Sequence, residues 1–596
     1  TIHVPADQPS IQAGINAAWH NDIVLVAPGS YIENISFNGK GITVKSSHGP
    51  EVTTIDGSQP QQVNKASVVT FQYLKNNKLQ SVLDGFTIRG GKGTYVQKKA
   101  GYRYGGGIFC QNASPKIVNN IIVFNSACFG GGIACEGENS APQILHNTIT
   151  RNYAYSYGIK SSRGGGIYTS WGTAPVISHN DITWNTTKLY NPQGSGGGIY
   201  CQGGGNNVSH FATITHNFIA YNIARESGCG ICAYGSAHLI SNNTIMDNGG
   251  GESGGGIYCF TSFSFEPEIP IISNNFIAGN KVFSYGAGIV CYGEYHAVIE
   301  NNVILDNISE GDAGGLSCES KKPPQRVANN IICGNKAAGD GGGIYCSCEE
   351  MFDLVNNTVA GNTAERGGGV FGTNSCSLMM RNIILWKNTA SMGAEAYMEF
   401  GDYGPATLSI DYSVVWGGLA FLMVEQGNAL NWGSHMGVNY PLFVDADRHD
   451  YHLTLNSPCR DAGDNSVVAE AFDFESDPRI SGGIVDIGAD ERHDHLYCTG
   501  DFTPGGVVQA KIMGEYIPWP TALIIGSGVL DPPHSHMLGD LFLEAPLYVV
   551  PLGFIPSNGV LVVQDYLPPM AAAPYDIPMQ AVIKNKLSNL FVLEVR

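Results

Sequence analysis

In nine repeating units of this chain an asparagine is followed by another five residues later. The pairs are Asn120/Asn125, Asn147/Asn152, Asn180/Asn185, Asn217/Asn222, Asn243/Asn248, Asn275/Asn280, Asn302/Asn307, Asn330/Asn335 and Asn357/Asn362. The residues between them favour strands, as in "NNIIVFN", "NNFIAGN" and "NNTVAGN". Asparagine tolerates turn geometry, and stacked amides can hydrogen-bond to one another and to the backbone, as buried amides must. A second column fixes the same register. The residue after each glycine cluster is Ile108, Ile133, Ile167, Ile199, Ile231, Ile257, Ile289, Leu316, Ile344, Val370 and, more weakly, Ala396, at intervals of 25 to 34 residues. Such a period means units that gain a core by stacking on their neighbours. Long amphipathic helices are missing from the repeats, so the stack is β.

Three units spell "GGGIYC" without a change, at 196–201, 254–259 and 341–346. Side chains alternate across a strand, so the Ile and the residue two later share the inner face. That later position is Cys110, Cys135, Cys201, Cys259, Cys291, Cys318 and Cys346. Cysteine is small and readily buried, which makes a core column the simplest account, with a structural metal or disulfide role as the alternative. The residue between them points out of the coil, and is aromatic at Phe109, Tyr168, Tyr200, Tyr258, Tyr345 and Phe371. It reads either as a surface stack or as a platform for sugar rings or protein, the candidate ligand contacts being Tyr168, Tyr200, Tyr258 and Tyr345. No Lys-Ser/Thr follows the glycines and a strand rather than a helix does, so they form no phosphate loop. They are read as tight turns between coils.

These features resemble the right-handed parallel β-helix superfamily, the pectin-lyase-like fold. The opening "IHVPADQPSIQAGINAAWHNDIVLVAPGSYIENISF" is similar to its usual entry, with a capping helix near Gln8–Trp19 and a first strand at Ile23–Ala27. "SVLDGFTIRGG" and the glycine–asparagine units resemble its repeat-containing members, and "YHLTLNSPCRDAGDN" with "VDIGADE" resembles the segment that closes such solenoids. The resemblance covers about residues 1–496 and implies an all-β solenoid, while lyases, hydrolases, transferases, adhesins and structural proteins share that fold. After about Tyr497 the ladder stops and proline-spaced apolar strands such as "TALIIGSG" and "LYVVPLG" follow. Residues 497–596 are therefore read as a small C-terminal β-sandwich, suited to anchoring or assembly.

Basic residues number 32 against 51 acidic, a net charge of −19. That disfavours general binding to nucleic acid or anionic membranes. No apolar stretch is long enough to span a bilayer as a helix. Fifteen cysteines are an odd number, leaving at least one unpaired within the chain. "CGIC" at 229–232 lacks the second pair a zinc ribbon needs, and His146, His179 and His216 take the first place of the "NN" pair, a turn position.

Chemistry is sought in the loop before the glycines, which carries Arg163, Glu226, Glu252, Glu310, Asp312, Asp340, Glu365 and Arg366. Glu226, Glu252, Asp312 and Asp340 are the catalytic candidates, since carboxylates on adjacent coils can act as acid and base. No cofactor is required; Ca²⁺ suits Asp312 and Asp340, or Asp445 and Asp447 in the acidic run "DADRHD". By resemblance to lyases of this fold, Lys160 with Arg163 or Lys188 would supply a base beside Ca²⁺, although no family motif supports it. A solvated acidic edge, which discourages lateral aggregation, is the competing reading. For the acidic run, with Asp461, Asp464, Asp473, Glu475 and Asp477, a capping role is read. Strong repetition without a recognisable catalytic set leads to an extracellular structural or adhesive protein, a cell-surface, matrix or filament component that self-associates through its C-terminal domain. The alternatives are a polysaccharide lyase or glycoside hydrolase, and a non-catalytic glycan-binding protein.

Overall fold

The computed structural model describes residues 1–492 apart from 73–79, 97–101, 139, 156–160, 188–193, 204–210, 236–237, 262–268, 295–296, 321–324, 349–350, 402, 455, 476 and 482, and beyond these the backbone of strands from His495 to Val595. The backbone sorts into two units, Thr1–Ile480 with Ile484–Glu491, and Ser481–Gly483 with Arg492–Arg596.

The first unit is a parallel β-helix. One turn of the chain, or coil, runs through Ile271–Ser273, Phe276–Ala278, Lys281–Tyr285 and Ile289–Gly293 before the next begins at Val298–Glu300. The first, second and fourth of these positions build three long sheets of 16, 15 and 14 strands, here sheets 1, 2 and 3. The third builds a shorter rim sheet of 6 strands between sheets 2 and 3. Register is strict: Ile272 pairs with Ile299, Ile277 with Ile304, and Ile289 with Leu316. Each inward aliphatic therefore rests on its equivalent one coil away, and these residues are fully buried. The Ile11–Ala17 helix, capped by the Ser10 hydroxyl accepting from Ala13 N, lays Ile11 and Ile15 over the open end of this core. It is shorter than expected; the strand expected after it forms at Ile23–Val26, and a further strand, Ile2–Val4, precedes it.

The asparagines form two continuous ladders. Asn275 donates through its backbone N and through Nδ2 to Asn302 Oδ1, both at 3.0 Å, and through Nδ2 to Ile240 O at 2.9 Å. Each amide thus binds the coil before and the coil after, at the corners on either side of sheet 2. The residue preceding each laddered Asn is left-handed, and Asn, Asp and Gly recur there because they accept positive φ with little strain. His146, His179 and His216 occupy the same turn position and stack with ring centroids 4.9 Å apart. The second ladder ends on Glu395, whose carboxylate accepts from Asn388 N and Nδ2. Burial outweighs those donors and pushes the Glu395 carboxyl up to about 8.

The glycine triplets are corners within each coil, between rim sheet and sheet 3, not turns between coils. At 341–343 the first glycine has φ +69° and a Cβ there would stand 2.8 Å from Tyr345 Cβ. A Cβ on Gly342 would meet Gly368 O of the next coil at 2.5 Å, so no side chain fits.

The cysteine column lies inside. Cys259, Cys291, Cys318 and Cys346 follow one another in register, buried and unbridged. Burial pushes the Cys201 thiol up to about 12. A disulfide does form, outside the column, between Cys348 and Cys376 of successive coils. Cys229 and Cys232 are both buried and unbridged.

Residues 442–491 do not plug the last coil. They lie against the outer face of sheet 2, where Phe443, Tyr451, Leu453, Cys459 and Ile487 cover Ile331, Ala360, Ile384 and Trp386. Polar ties fix them: Arg326 to Glu470 at 2.6 Å, Asn329 Nδ2 to Phe472 O at 3.0 Å, and Ala489 N to Thr358 Oγ1 at 3.0 Å. In the second unit all pairing is antiparallel, with His495–Gly500, Val507–Met513 and Val560–Tyr566 in one sheet. Thr521–Ile525, Tyr548–Gly553, Tyr575–Ile583, Lys586–Leu587 and Phe591–Val595 form another.

Replacing Asn280 by Ala would strand Asn248 N–H, Asn248 Nδ2 and Ile245 O, which Asn280 satisfies. A loss of roughly 3 kcal/mol is expected. Hydrogen exchange should show lost protection centred on residues 245–280 and weaker effects several coils away.

Candidate functional site

The glycine corner sets two walls face to face along the solenoid. One wall is the outward residue of each sheet 3 strand, and the other is the residue just before the triplet. Because the corner repeats in register, these side chains form a seam running from coil to coil.

In its N-terminal half the seam is aromatic. Tyr104 and Phe129 from the rim side pack on each other and on Phe109 and Tyr168 from sheet 3, and Tyr200 stacks on Tyr168, with ring centroids 5.0 to 6.2 Å apart. Tyr168 and Tyr200 point out of the coil as the alternation requires, yet are 6% and 2% exposed. An exposed platform is therefore corrected at these two positions: the facing wall covers the rings. Arg163 stands 4.9 Å over the Tyr200 ring, and buried Glu136 hydrogen-bonds Tyr104. Tyr258 and Tyr345 are half-buried.

The C-terminal half carries charge. Tyr345, Phe371 and Tyr397 stack at 5.2 and 5.5 Å, and Arg366 lies over Phe371 and Tyr397 at 5.0 and 5.2 Å. The Arg366 fork grips Asp340 at 2.8 and 2.5 Å and reaches Glu399 at 2.8 Å. Tyr397 donates its hydroxyl to Glu425. Asp312 Oδ1 accepts from Asp340 N at 2.7 Å. Burial, then the charges of Asp340 and Glu399, push the Asp312 carboxyl up; burial, then Asp312, do the same to Glu319.

Among the catalytic candidates, then, Asp312 and Asp340 come together, with Arg366 where a shared cation would sit. Glu226 accepts from Ser195 Oγ at 2.9 Å, and Glu252 is exposed with its backbone N bonded to Glu226 O at 2.7 Å. Lys160 and Lys188 lie outside the described residues. Asp445 and Asp447 flank and occupy the Ala446–Arg448 turn, Asp445 3.7 Å from Arg448, and do not converge with the buried carboxylates nearby. A metal-capable group exists in the same segment but was not predicted as a set: His452, Glu475 and Asp490 place their ligand atoms within 4.8 Å of one another. The signal for it was the Asp-x-His of "DYHL", which ties His452 to Asp450.

Elsewhere Phe124, Trp184 and Tyr221 are exposed on the turn beside sheet 2. Trp184 and Tyr221 stack face to face at 4.7 Å and Arg151 lies over Phe124, so several ring faces are already occupied.

The solenoid is a right-handed β-helix. Residues 197–390 match the family model described as "Right handed beta helix region". No curated protein matches the chain. The tailspike receptor-binding domain of Siphovirus 9NA aligns at 9% identity and a TM-score of 0.28, covering 100% of this chain and 98% of that one. The enzymatically active domain of bacteriophage CBA120 tailspike protein 4 aligns at 10% and 0.16, covering 96% and 63%. Likeness at these scores carries no argument about activity. Among the described residues no helix is long and apolar enough to cross a membrane.

Arg366→Ala removes the cation that Asp340 and Glu399 share in a half-buried seam. A stability loss of about 1–2 kcal/mol is expected, with faster hydrogen exchange at 340–372. Arg366→Lys should recover little, because a point charge cannot replace the fork or the ring stacking.

Proposed function

We propose that this chain is an extracellular structural or adhesive β-helix protein that self-associates as part of a cell surface, matrix or filament. One observation carries the reading. The last rung, Leu422–Val424, Ala429–Trp432 and Met436–Gly437, terminates all three long sheets, and Leu419, Met423, Leu430 and Val438 around it are exposed. Parallel edge strands with unpaired amides and apolar neighbours are templates for further pairing. The Cys348–Cys376 disulfide fits an oxidising compartment. The seam's saturated ion pairs fit a load-bearing surface better than a catalytic cleft, and residues 497–596, read as a sandwich, offer a second point of attachment.

A polysaccharide-directed enzyme is the second reading, favoured by the raised carboxyls of Asp312 and Glu319. A general acid needs such a protonated carboxyl beside its substrate.

Sedimentation and electron microscopy of the full chain test the first reading. Concentration-dependent oligomers that disperse in Met423→Glu or Leu430→Glu are expected, and a strict monomer across the micromolar range overturns it. Release of unsaturated or reducing ends from a polysaccharide panel, with or without Ca²⁺, and its loss in Asp312→Asn, would install the second.

A further inference from the structure

The segment 442–491 gathers several buried carboxylates. Asp473, Asp486, Asp490 and Glu491 are all 4% exposed or less, against one equally buried guanidinium, Arg479. That guanidinium is committed: it lies 3.6 Å from Glu491 and donates to the backbone oxygens of Asp486 and Gly488 at 2.9 and 2.5 Å. Asp490 lies beside a second group able to carry positive charge, His452.

Around that histidine the geometry brings potential ligand atoms together. His452 Nδ1 is held by Asp450 at 2.5 Å, which fixes the ring and turns Nε2 toward Glu475 and Asp490. Nε2 is buried and lies 3.1 Å from Glu475 Oε2 without making a hydrogen bond of good geometry. Asp490 Oδ2 accepts from Leu453 N at 2.7 Å, which anchors that carboxylate beside the imidazole. Asp473 accepts from Glu475 N at 3.0 Å and Asp477 N at 2.8 Å, holding the loop that carries Glu475 in place. A histidine steered by a carboxylate on one ring nitrogen, with its other nitrogen facing two further carboxylates, is the arrangement that orients a metal ligand.

We infer that His452, Glu475 and Asp490 form a binding site for a Zn²⁺-type divalent cation. One imidazole nitrogen and two carboxylate oxygens match the ligand preferences of Zn²⁺ and leave a fourth position to water. Ca²⁺, which takes six to eight oxygens, is a poorer match. The three ligands come from the strand Asp450–Leu453, the loop after Asp473 and the stretch ending at Glu491. The ion therefore cross-links three separate stretches of the segment that covers sheet 2.

The test uses the full chain, stripped with chelator and titrated calorimetrically with ZnCl₂, MnCl₂ and CaCl₂. Saturable binding of one Zn²⁺, tighter than Ca²⁺, with a rise in melting temperature is expected. Glu475 is exposed, so Glu475→Gln keeps the fold and should weaken Zn²⁺ by about 100-fold. His452→Gln should abolish both the binding and the thermal shift. No saturable binding, or unchanged affinity in folded Glu475→Gln, overturns the site. So does a nitrogen NMR spectrum in which His452 stays a doubly protonated imidazolium at saturating Zn²⁺.

Discussion

An amide group carries two donors and one acceptor oxygen, and the solenoid is organised by the need to satisfy them out of water. At each corner beside sheet 2 a backbone N–H and a backbone C=O are left over where the chain bends. A laddered Asn supplies the missing acceptor to the coil before and takes its own acceptor from the coil after. The ladder begins on backbone donors, Phe86 N and Gly91 N, which give to Asn120 and Asn125 at 3.0 Å. Everything else in the coil is positioned by this. The corner sets the strand register, the register stacks isoleucine on isoleucine, and the glycine corner opposite is squeezed until no Cβ fits.

That chain of constraint explains what could be read from sequence. A spacing of five between asparagines is long enough for one three-residue strand and its two corners, so the pairs locate sheet 2 in every coil. The cysteine column followed from alternation alone, because its neighbour Ile is in the core at every unit. The sense of Tyr168 and Tyr200 was equally legible, but their burial was not. It depends on Tyr104 and Phe129 at Tyr168 and on Arg163 at Tyr200, which precede the glycines at places where loop length varies, and no periodic pattern marks which residue will face which.

The closing segment was the least legible part. It has no period, so its partners cannot be found by counting. Its acidic run advertises Asp445 and Asp447, yet these face away, while the convergent groups are His452, Glu475 and Asp490, brought together by a hairpin and a loop. Its lateral position has a plain physical reason. Ile331, Ile384 and Trp386 on the outer face of sheet 2 join Ala360 in a continuous apolar patch, unbroken by the Thr and Asp that interrupt earlier coils at Thr148, Asp181 and Thr183, and that patch is covered.

Glu395 gives the second asparagine ladder a defined end. An Asn passes hydrogen bonding onward, because its amide donates to the next coil, whereas a carboxyl accepting from Asn388 has no amide to extend the series. Duplication of a unit upstream of it inserts a rung whose contacts are identical to those already there. Each such event lengthens the body by one strand spacing, about 4.8 Å, and carries the terminator along intact. The number of laddered coils is thus independent of the residue that closes the ladder, and the sheets run on past it to Met436–Gly437.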